Sequence, residues 1–179
     1  MTSALNPLDL VDWIEANADS FRPPVANRVV WPDSELIFMV IRGPNARNDF
    51  HIDPGDEIFY QLQGTIQVDV RNDDGDVESH LVHEGALLLV PAGVPHSPLR
   101  PAESWGVVIE RRRRAGELDQ IRWYCENGHV LHERSFQLAD IETELKAILD
   151  EFNETPSLRT CDQCGCVLEV APPFAFPDP

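Results

Sequence analysis

Residues 85–96 read GALLLVPAGVPH, and this stretch carries the strongest signal for the fold. The apolar run ALLLV passes into a turn rich in proline and glycine, a pattern typical of a β-strand that ends in a tight turn. The turn leads directly to His96. We therefore expect a strand over residues 86–90, followed by a histidine that the turn delivers at the edge of the sheet with its ring pointing inward.

Similar short runs of β-forming residues occupy the chain from about residue 28 to residue 111. Turn residues separate the runs and no long helical pattern lies between them, so βαβ units are not expected. Many short strands at close spacing predict an antiparallel sandwich or a small barrel. The runs are RVVW, ELIFMVIR, EIFYQLQ, TIQVDV, VESHLVH, ALLLV and WGVVIER.

Two amphipathic helices are expected outside this β region. The first covers residues 6–17, with Asn6 as the cap and Pro7 in the first turn. Its apolar face consists of Leu10, Trp13 and Ile14. The second helix has Asp140 as its cap and ends before Pro156. Its apolar stripe consists of Ile141, Leu145, Ile148, Leu149 and Phe152.

The predicted organisation is mainly β, with a single domain. The barrel domain and its short N-terminal helix take residues 1–115. A C-terminal appendage with one helix and a cysteine-rich metal knuckle takes residues 116–179 and packs on the barrel. The tail APPFAFPDP is too rich in proline for regular structure, so we expect it to lie along the surface.

The composition is that of a globular protein, and its charge narrows the choice of partners. Hydrophobic residues make up 42% of the 179 residues, and 14 basic against 31 acidic side chains give a net charge of −17. This charge argues against nucleic acid and against an anionic membrane surface as the main partner, since both attract a basic face. No apolar run is near the ~20 residues that span a bilayer. The N-terminus lacks the basic region of a signal peptide, so a cytoplasmic location is expected.

Three side chains in the β region could form a metal site. His51 and Glu57 lie in HIDPGDE at the start of the run EIFYQLQG, and His96 follows the turn described above. Two neutral imidazoles and one carboxylate form the face that holds non-haem Fe(II) and leaves adjacent positions open for substrate and O₂. His80 and His83 alternate with apolar residues along a strand and are interpreted as surface side chains.

The positions of these residues resemble the two motifs of the cupin superfamily. The second motif, G-x5-P-x-G-x2-H, is met in full by Gly85, Pro91, Gly93 and His96. The first motif, H-x-H with a later glutamate and a closing glycine, appears as His51, Glu57 and Gly64. The resemblance implies a double-stranded β-helix, or jelly-roll, barrel. Asp53 stands at the second histidine of the first motif, and this departure leaves three metal ligands in place of four and opens one more coordination position.

Longer stretches are similar to one cupin family, the 3-hydroxyanthranilate 3,4-dioxygenases. The resemblance runs from about residue 9 to 166 and rests on FRPPVANRVVW, IRGPNARNDFHIDPGDEIFYQLQG, LLLVPAGVPHSPLRP and GVVIERRRRAGELDQIRWYC. It implies that O₂ opens the ring of 3-hydroxyanthranilate to give 2-amino-3-carboxymuconate semialdehyde. That product cyclises to quinolinate, a precursor of NAD in the kynurenine pathway. The family analogy also implies a homodimer.

The resemblance assigns roles to individual residues. The iron ligands fall on His51, Glu57 and His96, and Glu57 also reaches the substrate. Four further residues belong to the pocket: Arg47 beside the O₂ site, Arg100 and Glu110 in contact with the substrate, and Asn27 as a lining residue. The chemistry asks for these residue types. A guanidinium binds a carboxylate through two charge-assisted hydrogen bonds, and a carboxylate near the ring can take a phenolic proton.

The last predicted strand contains Glu110 and leads into a run of four arginines. Glu110 has the same strand parity as Gly106 and Val108, so the three residues face one side of the sheet. That this side is the interior is implied by the resemblance. The basic run at residues 111–114 is interpreted as a mixture of solvated and interface side chains. It does not predict nucleic-acid binding, because no aromatic residues interleave with it.

The cysteines predict a second, structural metal site. Cys161 and Cys164 form half of a zinc-ribbon or rubredoxin-type knuckle. Short-chain members of the family carry another knuckle after the sequence WYC, and its second cysteine is missing here. We favour His129, at C-x3-H spacing from Cys125, as the replacement, so that iron or zinc is bound by Cys125, His129, Cys161 and Cys164. His132 or Cys166 could take the fourth place instead, or the site could be empty.

Two other functions are compatible with the sequence. A non-enzymatic cupin could bind a small aromatic acid as a sensor or carrier. A different cupin dioxygenase could act on another carboxylated aminophenol or catechol. Turnover of 3-hydroxyanthranilate by the Fe(II)-loaded protein separates these possibilities, since a binding protein would leave it intact.

Overall fold

The computed structural model describes residues 5–21, 26–141 and 143–177, and these contain eleven strands in two antiparallel sheets. The strands are β1 (Asn27–Val29), β2 (Leu36–Arg42), β3 (Asp49–Ile52), β4 (Glu57–Gln63), β5 (Ile66–Arg71), β6 (Val77–Val82), β7 (Leu87–Val90), β8 (His96–Leu99), β9 (Trp105–Arg111), β10 (Asp119–Tyr124) and β11 (Val130–Phe136). One sheet has the order β1-β2-β9-β4-β7, and the other has the order β11-β10-β3-β8-β5-β6. The mainly β cupin fold expected from the sequence is confirmed.

The main apolar core fills the space between the two sheets. Side chains alternate across a strand, so every second residue of β2, β4 and β9 faces inward. These residues meet inward-facing side chains of β5 and β6. The core consists of Ile37, Met39, Phe59, Ile66, Val68, Val82, Val90 and Val108.

Helix α1 (Leu10–Ala16) begins later than predicted, and its cap is Asp9 and not Asn6. The Asp9 carboxylate accepts hydrogen bonds from the backbone N–H groups of Val11 and Asp12 at 3.0 and 3.1 Å. Two of the helix's free N–H groups are thereby satisfied, which sets the start of the helix. The predicted apolar face of the helix is confirmed, since it packs with residues on the outer side of the five-stranded sheet.

Helix α2 (Glu144–Glu154) ends before Pro156 as predicted, but it begins after Thr143 and not at Asp140. Its apolar stripe packs on the six-stranded sheet, where the Phe152 ring stacks on Trp123 with centroids 4.1 Å apart. Ile141 lies before the helix and packs against the core between the sheets, so it is not part of the stripe. Neither α-helix of the described residues is long and apolar enough to cross a membrane.

The six-stranded sheet continues into the segment that the sequence analysis assigned to the appendage. Strand β10 pairs with β3 on one side and with β11 on the other. These two strands were not predicted, and neither were β3 and β8. The residue 115 boundary is therefore not a break between sheets, because backbone hydrogen bonds of the sheet cross it. The division of the chain into a barrel and an appendage stays a prediction.

Candidate active site

A pocket between the two sheets contains every residue that the sequence analysis placed in the active site. Its polar groups come from β1, β3, β4, β8 and β9 and from the loops that flank β3 and β8. Apolar side chains from the five-stranded sheet and from the start of α2 form much of the remaining wall: Met39, Ile41, Phe59, Val108, Ile141 and Leu145. An apolar cavity with a few convergent polar groups is typical of a small-molecule site.

The structure brings His51, Glu57 and His96 together at the base of this pocket. His51 on β3 and His96 on β8 are paired opposite each other in the sheet. The Oε1 atom of Glu57 lies 3.1 Å from His51 Nδ1 and 3.2 Å from His96 Nε2. This buried oxygen has no hydrogen-bond partner within the described part of the chain. Two ligand atoms at right angles around one ion lie about 3 Å apart, so these spacings fit a shared cation.

In each imidazole, a hydrogen-bond acceptor lies next to the outer nitrogen, which is the ring nitrogen that points away from Glu57. His51 Nε2 lies 2.9 Å from Asp119 Oδ1, and His96 Nδ1 lies 3.0 Å from the carbonyl oxygen of Val94. Each acceptor favours the tautomer with its proton on the outer nitrogen, which leaves the lone pair of the inner nitrogen directed towards Glu57. Metal-binding histidines are oriented in the same way. The donor set therefore fits a divalent metal ion.

The acid–base state of these groups reflects their burial and their contacts. Burial opposes the charged form of His51, but the contacts with the carboxylates of Asp119 and Glu57 outweigh it and raise the pKa of His51 to about 10. Burial would also raise the pKa of Glu57, yet the charge of His96 and the short contacts with both histidines hold that pKa well below its usual value. Metal binding at this site is therefore coupled to loss of the His51 proton.

Arg47, in the loop before β3, is held at the pocket wall by the carboxylate of Asp49, the first residue of that strand. Its Nε and Nη2 atoms donate to the two carboxylate oxygens of Asp49 at 3.0 and 2.6 Å. Such a two-point pair fixes the plane of the guanidinium as well as its position. Arg47 is thus a fixed positive charge in the pocket, and its field acts on Glu57 and Arg100.

Arg100 is a buried cation without a carboxylate partner in the described residues. Its exposed fraction is 1%, and Nη1 makes one long contact of 3.4 Å to Gln61 Oε1. Its Nη2 finds no hydrogen-bond partner there. Burial and the charge of Arg47 lower the pKa of Arg100 to about 10, so it stays charged at neutral pH. A buried unpaired charge is costly, and an anion bound in the pocket would relieve that cost.

The backbone around Arg100 is fixed by two neighbours. Asn45 accepts from the Arg100 N–H at 2.8 Å through its side chain, and its own N–H donates to the Arg100 carbonyl at 3.1 Å. The Asn45 carbonyl also accepts from Phe174 in the tail at 2.7 Å. Gly106 faces the guanidinium, and a Cβ there would lie 2.8 Å from Nη1. A side chain at this position would therefore displace the Arg100 guanidinium or the Gln61 amide from where they lie.

Glu110 and Asn27 add polar groups to the opposite wall. Burial, and then the charge of Glu57, raise the pKa of Glu110 well above its usual value, although Arg113 opposes this. Glu110 therefore favours its protonated form and can exchange a proton inside the pocket. The Asn27 amide donates to Met39 Sδ at 3.0 Å, whereas its Oδ1 atom is buried and has no partner among the residues described.

The four ligands favoured for the second metal are also brought together. The Sγ atoms of Cys125 and Cys161 each lie 3.5 Å from His129 Nδ1, and Cys125 Sγ lies 3.8 Å from Cys164 Sγ. The Cys125 N–H donates to the His129 carbonyl, which closes the first turn. Cys166 stays outside this group; its Sγ accepts from Asn127 at 3.4 Å.

Sequence reasoning missed Arg113 and Asp119. The interpretation of residues 111–114 as solvated and interface side chains is wrong for Arg113, whose side chain is only 2% exposed and lies among three carboxylates. Asp119 is fully buried and contacts His51 from outside the pocket. No local pattern marks either residue, because the burial of both side chains and the contacts with Asp53 and His51 depend on the packing of distant segments.

The chain is similar to known proteins over most of its length. A family model described as "3-HAO: 3-hydroxyanthranilic acid dioxygenase" matches residues 2–153. The chain is 43% identical over 169 residues to a 3-hydroxyanthranilate 3,4-dioxygenase of Bacillus cereus, with 94% of each chain covered. It is 38% identical over 176 residues to the Neurospora crassa protein of that name, with 97% of each covered.

The chain also resembles a solved structure at lower sequence identity. A cupin-2 domain protein from Shewanella frigidimarina is 21% identical and has a TM-score of 0.48. The match covers 59% of this chain and 94% of that one.

Proposed function

The chain belongs to the 3-hydroxyanthranilic acid dioxygenase family, and from this premise we propose that it is a 3-hydroxyanthranilate 3,4-dioxygenase. The reaction opens the aromatic ring of 3-hydroxyanthranilate with O₂ and gives 2-amino-3-carboxymuconate semialdehyde. Cyclisation of this product to quinolinate leads towards NAD.

The proposed cofactor is Fe(II), bound by His51, Glu57 and His96. Two histidines and one carboxylate are the ligand set of non-haem iron oxygenases. The bound ion would supply adjacent positions for the substrate and O₂, and a path for electrons between them. The chain itself contributes the ring orientation of both histidines and a pocket wall that excludes water.

The observation that carries the proposal is the unpaired guanidinium of Arg100 beside the metal triad. The substrate has a carboxylate next to an amino and a hydroxyl group. Arg100 Nη2, buried and with no partner in the residues described, is placed to bind that carboxylate. This ion pair would fix the ring so that its amino and hydroxyl groups face the triad. The substrate would also neutralise a charge that is costly in the free protein.

The other pocket residues have separate tasks in this proposal. Glu110 takes the proton of the substrate hydroxyl, because a raised pKa makes its carboxylate a stronger base than an ordinary glutamate. A cation bound at Glu57 would offset the charge of that residue, which after burial is the second cause of the raised pKa of Glu110, and would so favour the carboxylate form that takes the proton. Arg47, held by Asp49, provides fixed positive charge where negative charge develops on oxygen. Asn27 offers Oδ1 as an acceptor for the substrate amino group.

The proposed activity is tested by anaerobic loading with Fe(II) and mixing with 3-hydroxyanthranilate in air. We expect the absorbance of the muconate semialdehyde to appear, with catechol and oxalate as compounds that do not react. Absence of turnover at full iron loading, with the substrate still bound, would favour the non-enzymatic binding protein. Faster turnover of another carboxylated aminophenol would change the assigned substrate.

We further propose that Cys125, His129, Cys161 and Cys164 bind a structural iron or zinc ion. A closed set of four ligands in tetrahedral spacing leaves no position for a substrate. Replacing Cys161 with serine should reduce the total metal content by one ion per chain, because one thiolate of the set is lost. Metal analysis by mass spectrometry measures this, and Cys166→Ser is the matched control. Equal metal content in the wild-type protein and the Cys161 variant would contradict the site.

A homodimer is proposed from an exposed apolar face on the five-stranded sheet. Leu87 and Leu89 on its edge strand β7 are 67% and 55% exposed, and Ile58 lies beside Leu89 on β4. Exposed apolar edge strands favour pairing with another chain. A Leu89→Glu substitution should therefore convert the dimer to a monomer in size exclusion with light scattering.

The matched control for this face is Leu81→Glu. Leu81 is similarly exposed, at 54%, on the edge strand β6 of the other sheet, but its neighbour on β5 is the polar Gln67, so it is not part of an apolar face that extends over two strands. We expect this variant to remain a dimer. A monomeric wild-type protein, or dissociation caused by the Leu81 substitution alone, would show that the proposed face is wrong.

A further inference from the structure

Arg113 is the centre of a buried charge cluster behind the active site. Its Nε and Nη2 atoms donate to the two carboxylate oxygens of Asp119 at 2.8 and 2.5 Å. Its Nη2 atom also lies 2.8 Å from Asp53, and its Nη1 atom lies 3.3 Å from Glu110. The bonds to Asp119 have good geometry, whereas Asp53 Oδ2 and Glu110 Oε1 are ion-pair contacts without hydrogen bonds. Asp119 is therefore the fixed partner of this arginine.

Asp119 connects the cluster to the metal triad. Strand β10 begins at this residue and pairs with β3, which carries His51. The same Oδ1 atom that accepts from Arg113 lies 2.9 Å from His51 Nε2. Carboxylates in this position fix the tautomer and the ring orientation of a metal-binding histidine. Asp119 thus contacts the His51 ring at Nε2, the nitrogen that faces away from the pocket, whereas Nδ1 faces Glu57 and would bind the metal.

Asp53 occupies the position at which the cupin motif has a second histidine, and its carboxylate contacts protein groups there. Its Oδ1 atom accepts from the Gly55 N–H at 2.6 Å, and its other oxygen faces Arg113. Arg113 thus engages a carboxylate at the position of the missing ligand, together with the support of His51 and the side chain of Glu110. The Arg113 guanidinium therefore contacts both Asp119, which supports the metal ligand His51, and Glu110, which faces the substrate in the proposed reaction.

We propose that Asp119 and Arg113 are positioning residues of the iron site. Asp119 orients His51, and Arg113 holds Asp119 and Glu110 in their places. Both the affinity for the metal and the position of the Glu110 side chain therefore depend on the Arg113 guanidinium. This inference rests on the proposed function for the identity of the metal and the substrate. The positioning role itself predicts a change in metal affinity, and metal affinity can be measured without turnover.

The test uses the full-length protein with Asp119→Asn and Arg113→Lys substitutions. An amide keeps the size of Asp119 but loses its charge, and a lysine keeps the charge of Arg113 but cannot make the two-point contact. We expect the Fe(II) dissociation constant, measured by competition with a chelator, to rise about 10- to 100-fold in Asp119→Asn. Arg113→Lys should show a smaller rise together with a lower kcat, because Glu110 is no longer held.

Arg114→Met is the matched control, since Arg114 is the exposed neighbour in the same basic run. It should bind Fe(II) as the wild-type protein does. Circular dichroism and thermal unfolding of the metal-free variants report on the fold. The visible spectrum of the Co(II)-loaded protein reports on ligand geometry, and we expect it to change in Asp119→Asn.

Wild-type affinity and an unchanged Co(II) spectrum in both folded variants would overturn the inference. Failure of both variants to fold would also overturn it, because the cluster would then be a structural ion pair. If only one variant folds, its affinity and spectrum decide. If the wild-type protein binds Fe(II) and loses affinity in these variants but never opens the ring, the proposed function fails while the positioning role stands.

Discussion

A His96→Ala variant should lose the catalytic metal and, with it, all measurable ring opening. His96 is 1% exposed and contributes the Nε2 atom that lies 3.2 Å from Glu57. Losing an outer support of a metal ligand costs about 10- to 100-fold in affinity, so losing a ligand itself should cost more than about 100-fold. Chelator competition with Fe(II) and the absorbance assay for the semialdehyde measure the two effects.

His80→Ala is the control for this variant, because His80 is partly exposed on β6 and lies outside the pocket. It should keep both metal and activity. The metal bound by the cysteine cluster should remain in His96→Ala, which shows that the chain still folds. Full Fe(II) affinity in a folded His96→Ala protein would contradict the proposed ligand set.

An Arg100→Met variant should lose substrate affinity while keeping its iron. Truncating one partner of a buried, hydrogen-bonded charge pair costs about 2–5 kcal/mol, which is roughly 30-fold or more in binding. We therefore expect the KM or Kd for 3-hydroxyanthranilate to rise at least ~30-fold. Fe(II) affinity should stay near that of the wild-type protein, because Arg100 makes none of the contacts that orient the triad.

The free Arg100→Met protein should also be at least as stable as the wild type. The substitution removes a buried cation that has no carboxylate partner in the described residues, and an apolar side chain of similar length replaces it. 2-Aminophenol, which lacks the carboxylate, is the internal control and should bind equally to both proteins. An equal loss of iron and substrate affinity would show that Arg100 is structural.

The metal-ligand candidates could be predicted because they lie in local patterns, whereas the other pocket residues were implied by the family resemblance. His96 follows a strand and a Pro/Gly turn, and Glu57 begins a strand, so their neighbours in the sequence indicate their placement. The C-x3-H spacing of Cys125 and His129 predicts a turn that the structure closes with a backbone hydrogen bond. The inward direction of Glu110 follows from strand parity once the interior side is known.

Other features depend on contacts between distant segments. Strands β10 and β11 have mixed polar and apolar residues, and their pairing with β3 cannot be inferred from their own pattern. Arg113 is the third of four arginines, and the solvated interpretation fits its neighbour Arg114. Its burial is explained by three carboxylates: Glu110 and Asp119 lie within six residues of it, and the fold brings Asp53 to it from a distant segment.

The sequence by itself predicted the strand-rich architecture and the metal-ligand candidates, because turn residues and alternating side chains act over a few positions, and its resemblance to the dioxygenase family supplied the other pocket residues. Only the tertiary structure decided which charges are paired and which are free. In the structure Arg47 forms an ion pair with Asp49 and Arg113 forms one with Asp119, whereas Arg100 has no carboxylate partner among the described residues. The reason is that the energy of a charge depends on burial and on partners within a few ångströms. The residues of these two pairs lie only two and six positions apart in the sequence, but the burial and the direction of each side chain are set by the packing of the two sheets.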